Sequence, residues 1–584
     1  MRNIVFCTLS VIVFVLAACQ AKAVVDNKTV YVHTVEDFAD VREPLNSHAG
    51  LEASSVLEPM YDYIQVLEDD FLTAVIPDSA SEQKTSVYPR IKKMADGRYI
   101  MFFQGGQVAS RILYSFSDDL KKWSEPVLLW EPYVITTVEG KDTRRFTTAD
   151  AVVLPDGDIL VVCSYRASKG YKNGIDCGLV LKRSSDNGAT WSEPQYIYEG
   201  TNWEPYLLCL PNGDIHCYFT DCIPSIKDSG TSVIVSHDGG STWGGYKRIS
   251  RQFKYVSDGH KIFTDQMPCV RLLGDGKTLC GFFEARLEPG FPDDEESIFK
   301  MSLVYNDGFE WEDLGNDKEG PADRQTNLFE GAGGYISVFP SGETLLSCNI
   351  SGTFSLKLGD AGARNFNHRT WATDWLQPFE GRAFWGATEI ASDHEVIGTI
   401  YAPEGLNVGK FYLNHAVDAH VESIKVDGDA TDWKQEHLFF LGSESASQGI
   451  MRTSYDENNL YLLVECKAKK ATAELYLHNG DAASLSSGSS VYVKVSADKP
   501  MECKALTGSG KGSVIKADAS VLKGRTKDGS EGYVAEISVP LSAIGAVAGS
   551  TVMLNACLSG ASFKDTFTGV KEKQPSTWMK VRLK

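Results

Sequence analysis

Six times along the chain an apolar run stops at a short polar turn and resumes as a second run rich in β-branched and aromatic residues. The windows are VYPRIKKMADGRYIMFF, ADAVVLPDGDILVVCSY, EPYLLCLPNGDIHCYFTD, MPCVRLLGDGKTLCGFFE, GGYISVFPSGETLLSCNI and GATEIASDHEVIGTIYA. Each predicts a β-hairpin, with turns at Asp96-Gly97, Asp156-Gly157, Asn212-Gly213, Asp275-Gly276, Ser341-Gly342 and Asp393-His394. The turns recur every 52 to 66 residues, the length of a four-stranded sheet with its loops. One such sheet cannot bury both faces, whereas six packed radially can, so the pattern predicts an all-β chain with a six-bladed β-propeller over residues 60–417. A tandem array of β-sandwiches is the alternative.

Between the hairpins lies a second motif, Ser185-Asp186-Asn187-Gly188-Ala189-Thr190-Trp191 and Ser236-His237-Asp238-Gly239-Gly240-Ser241-Thr242-Trp243, with weaker copies ending at Trp123 and Trp311. Its Asp can bond turn amides, its Gly supplies positive φ, and its Trp can plug a blade edge, so it is a folding device and not a catalytic site. The motif resembles the Asp-box, or BNR repeat, of sialidase-like propellers.

After Val417 the texture changes to IKVDGDATDWKQ, TSYDENNLYLLVECKA, a Gly/Ser-rich stretch, GYVAEISVPLSAIG and TWMKVRLK, strands of a separate β-sandwich over residues 418–584. These segments resemble carbohydrate-binding module family 9. Trp433, Tyr455 and Trp578 are its visible aromatics, and a place in the core is the expectation for each.

At the other end, Met-Arg precedes an apolar run from Ile4 to Ala18, too short to span a bilayer comfortably but suited to a signal peptide over residues 1–18. Leu16-Ala17-Ala18-Cys19 resembles a bacterial lipobox, which implies a mature chain beginning at lipid-bearing Cys19, a tether over residues 19–59, and a membrane partner at the bacterial cell envelope. With 57 Lys+Arg against 77 Asp+Glu the net charge is −20, which argues against a nucleic-acid partner. Thirteen cysteines, one lost with the signal and one acylated, leave an odd number without CxxC pairs, a poor disulfide or zinc framework; Cys163, Cys209, Cys280 and Cys348 read as small core residues.

In a propeller the innermost strands converge on the axis, so chemistry should gather at equivalent strand ends. The starts of the inner strands carry Arg90, Asp150, Glu204, Asp265 with Gln266, and Glu330; the ends of the next strands carry Arg166, Asp221, Glu284 with Arg286, Asn349 and Tyr401. Glu204, in NWEPY, and Glu284, in GFFEAR, have apolar neighbours able to desolvate a carboxyl and keep it protonated while a partner stays ionised. Two such carboxyls suffice for glycoside hydrolysis, with no metal or organic cofactor.

The order WEPYLLCLPNGDIHCYFTD, then DQMPCVRLLGDGKTLCGFFEAR, is similar to the family 93 exo-arabinanases. The resemblance implies that Glu204 and Glu284 are the catalytic pair and that the partner is an oligosaccharide or polysaccharide cleaved from its end; Arg90, Asp150, Asp221, Arg286 and Tyr401 are candidate substrate contacts. A sialidase is the runner-up, with Arg90, Arg286 and Arg382 gripping a carboxylate, Tyr401 as nucleophile assisted by Glu284, and Asp150 as acid/base. A non-catalytic glycan-binding lipoprotein is the third reading.

Overall fold

The glycines of the first five turns, Gly97, Gly157, Gly213, Gly276 and Gly342, adopt φ between 71° and 111°, and each donates its N–H to the carbonyl three residues earlier. Only glycine takes this conformation cheaply, which is why each apolar run reverses there. The computed structural model describes residues 29–34, 37, 61–77, 86–105, 110–223, 228–251, 262–287, 298–315, 320–340, 342–364, 366, 375–379, 381, 383–392, 394–433, 439–441, 449–486, 488–506, 512–560, 564–566 and 573–584. The signal segment and Cys19 lie outside them, as do Arg382 and Asp393.

The six hairpins become six sheets whose innermost strands are Ser86–Lys93, Gly140–Val153, Asn202–Cys209, Ile262–Leu272, Ala332–Val338 and Phe384–Ile390. Each touches the next and the last returns to the first, so the ring is closed: a six-bladed propeller. The outer strand of blade 6 comes from the other end of the chain. Tyr61–Pro77 pairs antiparallel with Gly405–Ala419, from Tyr61 against Ala416 to Pro77 against Gly405, and locks the circle. The Ser-x-Asp turns sit between third and fourth strands, where Asp186 and Asp238 each accept from the amide and hydroxyl of a threonine, Thr190 and Thr242. Their tryptophans wedge between blades: Trp191 packs on Phe102 and Tyr114 of blade 1, and Trp311 of blade 4 donates its Nε1–H to Tyr218 of blade 3.

One irregularity repeats in every blade. The inner strand carries an extra residue at its axial start, where three residue steps face two on the second strand: Val87 to Arg90 against Gln104 to Phe102, Trp203 to Tyr206 against Thr220 to Tyr218, Gln266 to Cys269 against Glu284 to Phe282, and likewise in the other three. The residue at the bulge has positive φ throughout: Tyr88 (58°), Thr148 (51°), Glu204 (44°), Met267 (51°), Gly333 (63°) and Trp385 (46°). Five of the six are not glycine, and a left-handed non-glycine residue costs about 1–3 kcal/mol, a strain that bulges characteristically spend on re-aiming a side chain.

The described residues of 424–584 form two sheets that close on one apolar core. Leu460, Leu462, Val464, Ala535 and Ile537 come from one, and Leu475, Val491, Val493, Val552 and Leu554 from the other. Trp433, Tyr455 and Trp578 are all buried, with the Trp433 Nε1–H donated to Glu536 at 2.6 Å, so none of the three offers a ring face to a sugar. This pair of sheets is tied to the propeller by Met579–Leu583, which runs parallel to the end of Gly405–Ala419, and by the Arg582–Asp418 ion pair at 2.6 Å. Val30–Tyr31 adds a short parallel strand beside Asp518–Arg525.

Candidate active site

The bulges gather at one mouth of the axial channel. Tyr88, Thr148, Glu204, Met267 and Trp385 all line a single cavity there of about 360 Å³, within the range of small-molecule sites. Each of these side chains comes from a different blade, so the site exists only when the ring closes.

Among the described residues, Glu204 is the one carboxylate that lines this cavity. The Thr220 hydroxyl accepts the Met267 N–H at 2.9 Å and donates to Glu204 Oε2 at 2.8 Å, which fixes the direction of that bond. Burial is the largest influence on Glu204 and pushes its pKa up to about 7; the negative charge of Glu284 adds to this, while the Thr220 hydroxyl, Arg166 and Arg90 act against it.

Glu284 stands one strand further out and is buried. Its Oε1 accepts from Gln266 Nε2 and its Oε2 from the Gly333 N–H, both at 2.6 Å, the arrangement of an ionised carboxylate using both oxygens as acceptors. The second of these bonds belongs to a series. In blade 1, Gln104 Oε1 accepts the Thr148 N–H; in blade 3, Thr220 accepts from Met267; in blade 5, Asn349 Oδ1 accepts the Trp385 N–H at 3.0 Å. A polar side chain on the second strand of one blade thus clips the bulge amide of the next. Glu284 is the ionisable member of that series.

The remaining sequence candidates fall into different places. Arg90 lies under the cavity floor, its guanidinium 3.7 Å from the Tyr88 ring centroid and donating to the carbonyls of Pro89 (2.8 Å) and Trp385 (3.1 Å). Tyr401 packs against the cluster of Val87, Tyr88 and Met267 beside the cavity. Asp221 does not join them: one residue on from Thr220, it faces the other side of its strand and accepts hydroxyl bonds from Tyr198, Ser232 and Tyr246. Glu330 ends an outer strand and is ion-paired to Lys300 at 2.7 Å. Arg286 pairs in register with Phe263, and its side chain lies outside the described residues.

Asp150 points down the channel. It accepts the Leu207 N–H at 2.9 Å and lies 3.8 Å from Lys92 Nζ, which donates to the Tyr335 hydroxyl at 3.2 Å and is also 3.8 Å from Glu389. With Arg271, these groups form a charge-balanced layer at the opposite mouth, where a second cavity of about 500 Å³ opens. Sequence reasoning missed Tyr88, Thr220, Arg145 and Trp385. The available signal was the proline that follows three of the bulges, in Tyr88-Pro89, Glu204-Pro205 and Met267-Pro268.

No family model matches the chain, and no curated protein matches it in sequence. Among solved structures it is similar to the Penicillium chrysogenum alpha-L-arabinanase complexed with arabinobiose, at 15% identity over 60% of this chain and 97% of that one, with a TM-score of 0.40. It is also similar to the GH93 alpha-L-arabinofuranosidase of Fusarium graminearum with arabinobiose (15% identity, 56% of this chain, 92% of that one, TM-score 0.41). A third likeness is to the NanB sialidase of Streptococcus pneumoniae, at 12% identity over 59% of this chain and 71% of that one, with a TM-score of 0.40.

Proposed function

We propose that this chain is an exo-acting glycoside hydrolase that removes terminal sugars from a polysaccharide or glycan, with Glu204 as the proton donor and Glu284 as its ionised partner. The observation that carries this reading is the Glu204 carboxyl, open to the cavity and with its pKa raised to about 7, beside a second carboxylate that uses both oxygens as acceptors. A carboxyl of that kind keeps its proton in mildly acidic and near-neutral water and can pass it to a leaving glycosidic oxygen. The two-carboxylate mechanism gives Glu284 the ionised role, attack on the anomeric carbon or activation of water. Because Glu284 is buried behind the cavity lining, this role requires it to give up its bond to Gln266 or Gly333. Trp385, 42% exposed at the rim, offers an indole face to the C–H face of a sugar ring. Below the cavity the axis is filled by Arg90, Tyr206, Tyr335 and Lys92, all buried, so a chain end can enter but a polymer cannot thread through.

The test is release of sugar from a panel of capped glycans by the wild-type chain and by Glu204→Gln. Turnover is expected to fall by about 10²–10⁴-fold in the variant, and wild-type activity to decline above pH 7 as Glu204 loses its proton. A wild-type protein that retains glycan but releases no sugar would instead be a binding protein.

The proposal includes attachment to the bacterial envelope through acyl chains on Cys19. Cys19→Ser is expected to move the protein from the membrane fraction to the soluble one, with loss of the lipid mass from its N-terminal peptide.

A further inference from the structure

Arg144 and Arg145 are adjacent on the inner strand of blade 2, and the fold treats them oppositely. Arg144 is fully engaged: its guanidinium pairs with Asp176 and donates to the hydroxyls of Tyr133 and Tyr196, both at 2.8 Å. Arg145 turns to the other side of the strand and lines the cavity, with no hydrogen bond or ion pair among the described residues. Directly across from it on the second strand is Arg166, also at the cavity. Like charges on directly opposed strand positions repel, and an anion set between them would relieve that repulsion. No carboxylate of the described residues is bonded to either one. Glu204 is near Arg166, but it retains its proton up to about pH 7 and is a weak counter-ion below that.

Arg166 is also held in place. Its guanidinium lies 3.8 Å from the Trp203 ring centroid and 5.6 Å from that of Tyr171, and it donates to the Thr147 hydroxyl. A guanidinium held over an indole face leaves its edge donors available as a fork, the geometry that fits a carboxylate or sulfate.

We propose that the sugar received by this cavity carries an anionic substituent, a carboxylate or a sulfate ester, gripped by Arg145 and Arg166. The inference rests on the glycosidase reading for its reaction, but not for its binding. Arg145 supplies an uncompensated charge, and Arg166 supplies a fixed donor edge.

The experiment is titration calorimetry of the full chain and of Arg145→Gln with matched monosaccharides: glucuronate, galacturonate and N-acetylneuraminate for the carboxylate arm, galactose 6-sulfate and glucose 6-sulfate for the sulfate arm, and glucose, galactose and arabinose as neutral controls. At least one anionic sugar is expected to bind tenfold or more tightly than the neutral sugars, and the arm to which it belongs identifies the substituent. Arg145→Gln, which breaks no contact within the described protein, should reduce that preference to less than threefold with an unchanged unfolding temperature. Arg166→Gln, which also gives up the contacts with Trp203 and Thr147, should reduce the preference likewise, at some cost in unfolding temperature. The inference is overturned if no anionic sugar is preferred, or if the preference survives in both variants. An anionic preference without hydrolysis of any glycan would sink the glycosidase reading alone. Hydrolysis of neutral glycans that is indifferent to Arg145→Gln would sink the anionic-sugar inference alone.

Discussion

The two mouths of the axial channel are built from the same six strands, yet they treat charge in opposite ways. At the hairpin-turn end, Lys92 sits 3.8 Å from both Asp150 and Glu389 and donates to Tyr335, so each buried charge has an opposite one within reach. At the bulged end, five non-glycine residues hold positive φ, burial pushes the pKa of a glutamate up to about 7, and two arginines face each other with no carboxylate of the described residues bonded to either. Charge balance and relaxed backbone mark a mouth that holds the blades together. Imbalance and strain, which folding alone would remove, mark the mouth left open for a ligand.

The sharpest way to break this contrast is Glu284→Gln. Glutamine keeps an oxygen for the Gly333 N–H, and blade 1 already uses Gln104 for the same clip, so the variant should fold with a near-native unfolding temperature. Its charge, however, is gone, and turnover on whichever glycan the wild type cleaves should fall by about 10²–10⁴-fold. Full activity in this variant would reduce Glu284 to a blade clip, leaving Glu204 to act with a different partner.

Lys92→Met should do the reverse. Removing this cation leaves Arg271 against both Asp150 and Glu389 in the buried layer, a loss of about 3 kcal/mol in denaturant unfolding, with activity per folded molecule unchanged. The double variant Lys92→Met/Asp150→Asn should recover part of that stability, because asparagine can still accept the Leu207 N–H. A large drop in turnover in either variant would mean that the two mouths are not separate in function.

How far the sequence could reveal this architecture follows from the same bulges. Five of the six hairpins are legible because each is punctuated by a turn whose glycine must be glycine, and their spacing points to the sixth, at Asp393-His394. The bulge has no such punctuation: the extra residue is Tyr, Thr, Glu, Met, Gly or Trp, depending on the blade. Matching Glu204 by eye to Arg90 and Asp150 therefore slips the register by two. The true equivalents of Glu204 are Tyr88 and Thr148, and Arg90 and Asp150 align with Tyr206 instead. Glu284 is legible as a charge in an apolar strand, yet its clip is visible only once the neighbouring blade is beside it. A single residue of strand phase separates Asp221 from the cavity side of its strand, and Arg145 is hidden among the charges of KDTRRF.

The smallest expected effect concerns the thermodynamic cost of the open mouth itself. A glutamate in the unfolded chain titrates near 4.5, whereas Glu204 in the folded protein titrates at about 7. The folded state therefore binds the proton more tightly, and between those two values it carries more protons than the unfolded state. Stability attributable to this residue must then fall as the pH rises from about 4.5 to about 7 and stay level above that. Glu204→Gln cannot lose a proton and can still accept from Thr220, so it should match the wild type near pH 4.5 and exceed it by about 3 kcal/mol at pH 8. Denaturant unfolding of both proteins across that range measures the difference directly. If the gap is the same at every pH, Glu204 does not hold its proton, and the bulged mouth loses the acid on which its proposed chemistry depends.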